Sequence, residues 1–140
     1  MGTSLNPRHR GFDWKVFCEG RPGLIGWAVI DVSLAAKQYQ LHGMMTTPML
    51  LVCLFQLWYV ADYFYHEEAI LTTWDVKHEN LGWMLCWGDL VWVPFTYTLP
   101  ALYLVDHLHG MPGWGVAGVV TLFVVGYAIS RGANVQKHAF

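Results

Sequence analysis

From Gly113 to Ile129 the chain reads "GWGVAGVVTLFVVGYAI", without one charged residue. With one flanking turn, that run reaches the roughly 20 apolar residues a membrane helix needs. Three further apolar segments precede it, near 23–41, 48–65 and 81–105, and this last run extends over 113–130. The first is short and contains Asp31. Composition points the same way: 55% of the 140 residues are hydrophobic and 13% charged, where a soluble surface carries roughly 25% or more. No alternating β-barrel pattern is present, so helices must satisfy the backbone hydrogen bonds in lipid. The fold class expected is all-α: a polytopic integral membrane helical bundle of about four transmembrane helices. It forms a single membrane domain, 1–140, in which 1–22 is a cytoplasmic loop.

The cations give this arrangement a direction. If all four segments span, Arg8, Arg10, Lys15, Arg21, Lys77, Arg131 and Lys137 share one side and Lys37 stands alone on the other. Lys and Arg resist translocation, so the termini belong on the cytoplasmic side. The net charge of −2 and the lack of any Lys/Arg run argue against a nucleic-acid partner. Cys18, Cys53 and Cys86 lie far apart and form no disulfide framework or CxxC metal pair. "HEEAI" at 66–70 lacks the second His of a zinc protease motif, and "HLH" at 107–109 has no third ligand, so no metal site is expected. The stretch "LNPRHRGFDWKVFCEGRPG", punctuated by Pro and Gly, reads as a connecting loop, and the chain reads as the middle of a longer protein.

Polar residues at membrane depth usually face a cavity or a partner. In the second segment Gln56, Tyr59, Tyr63 and His66, with Asp62 and Glu67 slightly rotated, fall on one stripe of a helix. Leu50, Leu54, Leu57 and Ala61 form the apolar face. The stripe is either a structural hydrogen-bond seam between helices or the wall of a pocket. In the third segment Asp89, Trp92 and Thr96 lie near one face, and Pro94 and Pro100 predict a kinked or partly unwound helix. Asp75, His78 and Glu79 suit a solvated capping cluster or a proton relay. In "ISRGANVQKHAF", Arg131 and Asn134 stand three apart, followed by Gln136 and Lys137. As a plain collar they would hold a helix in place. As clustered donors on a cytoplasmic rim they suit a phosphorylated ligand.

"LNPR" at 5–8, "CEGRPGLIGW" at 18–27, "HEEAILTTWDVKHENLGWM" at 66–84, "GDLVWVPFTYTLPALYLV" at 88–105 and "RGANVQKHAF" at 131–140 closely resemble the sterol C14-reductase family. That family includes the delta(14)-sterol reductases and the C-terminal domain of the lamin B receptor, with 7-dehydrocholesterol reductase a near cousin. The resemblance covers the whole chain and implies a multi-span enzyme that takes hydride from NADPH and reduces a sterol C14=C15 bond. The alkene is protonated first, which places cationic character at C14, and hydride follows. It implies a sterol partner within the bilayer, in the endoplasmic reticulum or nuclear envelope of a eukaryote or the cytoplasmic membrane of a bacterium. In the family, the Lys matching Lys137 contacts the cofactor and the Tyr matching Tyr59 lies by the cofactor and sterol pocket. Arg131 and Asn134 join them as cofactor-binding candidates, and Tyr59, Asp62 and His66 are the catalytic candidates. The family's motifs "RHPNY", "HRxxRD" and "KYG" fall beyond this stretch, so the fragment is expected to be inactive alone. The alternatives are a lamin B receptor-like scaffold without catalysis, a 7-dehydrocholesterol reductase-like enzyme, and a transporter or channel fragment.

Overall fold

The structure, a computed structural model, describes residues 5–71 and 74–139, and of Glu19, Ala69, Ile70, Asp75, Lys137, His138 and Ala139 only the backbone. A small hairpin comes first, β1 (Arg8–His9) pairing antiparallel with β2 (Phe12–Asp13). Its turn residues Arg10 and Gly11 have φ of 51° and 83°. Left-handed conformation at both central residues matches the right-handed twist of the strands. Asp13 closes the hairpin through a 3.1 Å ion pair with Arg8. The same carboxylate accepts from the Lys15 and Val16 amides at 3.1 Å, which caps the free N–H groups of the helix that follows.

That helix, α1, spans Trp14–His42. Residues 14–22, expected as part of a loop over 1–22, are therefore helical. The loop expectation rested on the turn-forming residues of "GRPG", and packing overrides them. Gly20 lies against the Tyr63 side chain, and Gly23 against the Asp89 carbonyl. The glycines serve close approach rather than chain reversal, and Pro22 sits inside a continuous helix. Gly43, at φ 69°, ends α1 and donates its N–H to the Tyr39 carbonyl.

The second helix, α2, spans Thr47–Tyr65, within a residue of the expected 48–65. Short helices α3 (Glu67–Ile70) and α4 (Trp74–His78) follow. The third apolar segment is α5 (Trp83–Trp87), a π turn (Gly88–Trp92) and α6 (Val93–Asp106). The expected break thus takes the form of a widened turn rather than unwinding. Pro94 has no N–H to donate, and just before it the Val93 N–H reaches back five residues to the Gly88 carbonyl. Pro100 sits inside α6.

Through Leu108 the chain forms one compact unit, and His109–Phe140 forms a second. In the first unit α1, α2 and α6 pack side by side. One apolar cluster joins Ala35, Met49, Cys53, Ala101 and Val105, and another joins Leu24, Trp27 and Val60. Gly20 meets Tyr63 at one end of the α1–α2 pair, and Gln38 meets Thr46 at the other, so the two helices run antiparallel along their whole shared length. Lipid tails are as apolar as leucine, so apolar contact alone gives membrane helices little reason to associate. Polar ties add to the apolar clusters here. The buried Gln38 amide donates to the Leu104 carbonyl at 2.6 Å and accepts from the Thr46 N–H at 3.0 Å, binding α1, α6 and the start of α2. His42 Nε2 lies 3.0 Å from the Val105 carbonyl.

The second unit contains α7, Gly113–Ala139. It continues past the expected end near 130, so Arg131 and Asn134 lie on helix. Among the described residues two helices, α2 and α7 over Gly113–Gln136, are long and apolar enough to cross a membrane.

Candidate functional site

The polar stripe expected on α2 divides in two. Gln56 turns into the helix seam. Its Oε1 accepts from Trp27 Nε1 at 2.7 Å and its Nε2 donates to the Tyr97 carbonyl at 2.9 Å. Both ends of that amide are thus met within protein, which is how membrane helices use such residues. The Trp27 ring stacks on Tyr97 at 4.7 Å between centroids and 24° between planes, and on its other flank lies Tyr59 at 5.6 Å. Trp27 is buried, whereas Tyr59 is 55% exposed. Helices α1, α2 and α6 together build an aromatic shelf in which Tyr59 and the 51% exposed Tyr97 flank the buried Trp27. The two exposed rings can meet a flat apolar ring system and offer it a phenol O–H.

One turn further along α2, His66 Nδ1 lies 3.2 Å from Asp62 Oδ1 and 3.1 Å from the Asp62 carbonyl. Both side chains are half-buried. Glu67 pairs with Arg21 at 2.7 Å, which ties α3 to α1 rather than extending the stripe. Met49, Cys53 and Val60 are buried in the seam, while Leu50 and Leu54 of the apolar face are exposed.

In the third segment Asp89 is half-buried on the π turn, Trp92 is exposed and lies tilted against Trp87 at 5.2 Å, and the buried Thr96 Oγ1 has no hydrogen-bond partner among the described residues. Of the Asp75–His78–Glu79 group, the Asp75 side chain lies outside the described residues. His78 packs on the Trp74 ring at 4.4 Å, and the Glu79 carbonyl accepts from the Lys15 ammonium. On α7, Arg131 is half-buried and Asn134 exposed. The Lys137 side chain lies outside the described residues. Among the described residues no group of three His, Cys, Asp or Glu is placed to hold a metal, and Cys18, Cys53 and Cys86 are not joined by disulfides.

The sequence reading assigned no tie to three polar residues that are buried here. Lys15 is fully buried and also donates to the Val76 carbonyl at 3.2 Å. Gln38 is the three-helix tie described above. Asp31 is fully buried, and neither carboxyl oxygen has a hydrogen-bond partner among the described residues. The only signal in sequence is the residue type inside a helical stretch, since the partners of Lys15 and Gln38 lie up to 66 residues away.

Against known proteins, the chain matches over residues 1–140 the model of the family described as ergosterol biosynthesis ERG4/ERG24. It is 64% identical over 140 residues to a Delta(14)-sterol reductase of Methylotuvimicrobium alcaliphilum, covering 100% of this chain and 33% of that protein. Against Delta(14)-sterol reductase LBR of Gallus gallus the identity is 49% over 142 residues, 99% of this chain and 22% of that protein. Against 7-dehydrocholesterol reductase of Danio rerio it is 47% over 141 residues, 100% and 30%. The chain thus spans about a third or less of the length of these curated relatives.

Proposed function

Because the chain belongs to the ergosterol biosynthesis ERG4/ERG24 family, we propose that it is the central part of a delta(14)-sterol reductase held in a membrane by four spans. Support for the spans comes from packing. Helices α1 and α6 lie alongside α2 and share its depth, and α2 and α7 have the length and apolarity to cross. The bias of seven cations to one leaves the termini on the cytoplasmic side.

The observation that carries the reading is the aromatic shelf of Trp27, Tyr97 and Tyr59, placed in a chain 64% identical to a named Delta(14)-sterol reductase. A fused-ring sterol lies flat on such a face. The half-exposed Tyr59 hydroxyl orients it by one hydrogen bond, and the Trp27–Gln56 bond keeps the shelf rigid. Apolar walls exclude water, which protects a carbocation from capture. The Asp62–His66 pair, 3.2 Å apart, is placed to relay protons at the C-terminal end of α2.

The cofactor implied by the family is NADPH, and the donor set of this chain fits it. A guanidinium at Arg131 and an amide at Asn134 lie on the last turns of α7, one helical turn apart, and suit phosphate and amide groups. Lys137 lies next along the same helix and adds a compact countercharge. These three would hold the charged end of the nucleotide. When bound, NADPH supplies the hydride that follows protonation of the alkene.

The test uses the intact polypeptide in membranes free of endogenous sterol reductase, with NADPH and a sterol carrying a C14=C15 bond. NADPH-dependent saturation at C14 is expected. Lys137→Gln is expected to raise KM for NADPH at least tenfold, and Tyr59→Phe to lower kcat with KM for NADPH little changed. Saturation only of a C7 double bond would favour the 7-dehydrocholesterol reductase reading. Nucleotide binding with no turnover on any sterol would favour a scaffold.

A further inference from the structure

We propose that the hairpin at 8–13, with Trp14 and Phe17 of α1, is an interfacial foot that binds anionic phospholipid headgroups. The aromatic part is preassembled. Phe12 meets Trp14 edge-on at 4.9 Å and Phe17 at 5.2 Å, and Trp14 and Phe17 stand 6.4 Å apart at 85°. Yet Phe12 and Trp14 remain 44% and 46% exposed. Two arginines share the hairpin with Phe12. Arg8, His9 and Arg10 are exposed, and Arg10 sits at the tip of the turn. In the antiparallel register His9 stands opposite Phe12, so the two side chains share one face of the hairpin.

The foot is rigidly mounted. Asp13 serves both the hairpin, through Arg8, and the first turn of α1, and the Trp14 N–H donates to the Pro7 carbonyl at 3.1 Å. Its depth follows from packing. Gly20 of α1 lies level with Tyr63 of α2, two residues before α2 ends at Tyr65. Trp14 therefore sits about two turns beyond, where a spanning helix leaves the hydrocarbon. Aromatic rings prefer that boundary, and cations there attract anionic lipid. Asp13 is engaged by Arg8 and by α1, and Glu67 by Arg21. Three clustered rings beside exposed cations match a headgroup layer, an apolar and negatively charged boundary, better than they match water.

The inference rests on α1 spanning the membrane with α2, and the experiment separates the two claims. The intact polypeptide is placed in nanodiscs of phosphatidylcholine with and without phosphatidylglycerol, some lipids carrying a spin-label quencher near the headgroup. Trp14 emission is the difference between wild type and Trp14→Phe. The expected result is quenching of Trp14 by the shallow label and enrichment of phosphatidylglycerol around the protein. Arg10→Asn keeps the left-handed turn, since Asn tolerates that conformation, and removes one charge. It should reduce the phosphatidylglycerol preference about fivefold, the effect of roughly 1 kcal/mol per surface cation. A Trp14 signal that only an aqueous quencher reaches, or that no quencher reaches because other parts of the polypeptide cover it, overturns the proposal. So does an unchanged lipid preference in Arg10→Asn. Quenching of the total Trp emission by deep labels, to which the exposed Trp58 of α2 contributes, tests the membrane reading independently of this outcome.

Discussion

Among the described glycines, Gly23 is the one that lies tightest against backbone, and one methyl group there should be decisive. A Cβ built on Gly23 would stand 1.9 Å from the Asp89 carbonyl oxygen and 3.0 Å from its carbon. Backbone cannot swing aside as a side-chain tip does. Relieving 1.9 Å to an ordinary 3.4 Å contact demands that α1 and the π turn part by about 1.5 Å. That opens the seam holding Leu24, Trp27 and Val93. Overpacking of this kind costs roughly 1–3 kcal/mol or more, while Ala in place of Gly inside a helix returns about 1 kcal/mol. With a clash against backbone the first effect sits at its upper end, so Gly23→Ala should lose about 2 kcal/mol or more. At Gly26, three residues on in the same helix, an added Cβ would meet nothing within 4 Å. Gly26→Ala should be neutral or stabilising by up to about 1 kcal/mol. The assay is thermal unfolding of the intact polypeptide in detergent, read as the fraction that stays monodisperse after heating. If Gly23→Ala melts with or above wild type, the two segments do not touch as described, and the reasoning from close approach fails.

Other ties should respond in proportion to their burial. Lys15→Met leaves the carbonyls of Val76 and Glu79 without their donor. It should cost about 1–3 kcal/mol and speed proteolytic cleavage within 74–82, with cleavage elsewhere unchanged. Gln38→Leu removes a donor to α6 and an acceptor at the start of α2, and a loss of about 1–2 kcal/mol in the same melting assay is expected. By contrast the Arg21–Glu67 pair has side chains 39% and 36% exposed. A double-mutant cycle with Arg21→Gln and Glu67→Gln should give a coupling of no more than about 1 kcal/mol, weakening with added salt.

What could be read in the sequence was whatever depends on a run of like residues. The span 48–65 came out within a residue as Thr47–Tyr65 because its apolar stretch is bounded by Thr-Pro on one side and His-Glu-Glu on the other. The third segment was legible as one element with a fault near Pro94, since a missing N–H is a local fact. Its form as a π turn was not, because that is set by where Gly23 and Asp89 meet. The helix start at Trp14 was obscured for the same reason. "GRPG" carries every local sign of a loop, and only contacts with α2 and the π turn explain why helix wins there. At the candidate site, a helical wheel identified the residues of the stripe but not their directions. Gln56 and Tyr59 are three apart, about 60° short of a full turn, so the neighbours Trp27 and Tyr97 decide that one turns inward and the other outward.

The polar residues that no pattern revealed share a physical character. Lys15 and Gln38 each bond to backbone carbonyls far along the chain. Backbone carbonyls carry no signature in sequence, so such partners cannot be inferred from residue types. In water they would be minor, because solvent offers equal bonds. In a bilayer the apolar surfaces of α1, α2 and α6 can slide past one another at little cost, and a fixed donor facing one particular carbonyl selects the register. The aromatic shelf depends on that register. A shift of one turn between α1 and α2 would carry Trp27 about 5.4 Å from Gln56, and Tyr59 would lose the ring beside it. The buried amide of Gln38, some three turns away along α1, therefore helps to place the phenol at the edge of the shelf without touching it.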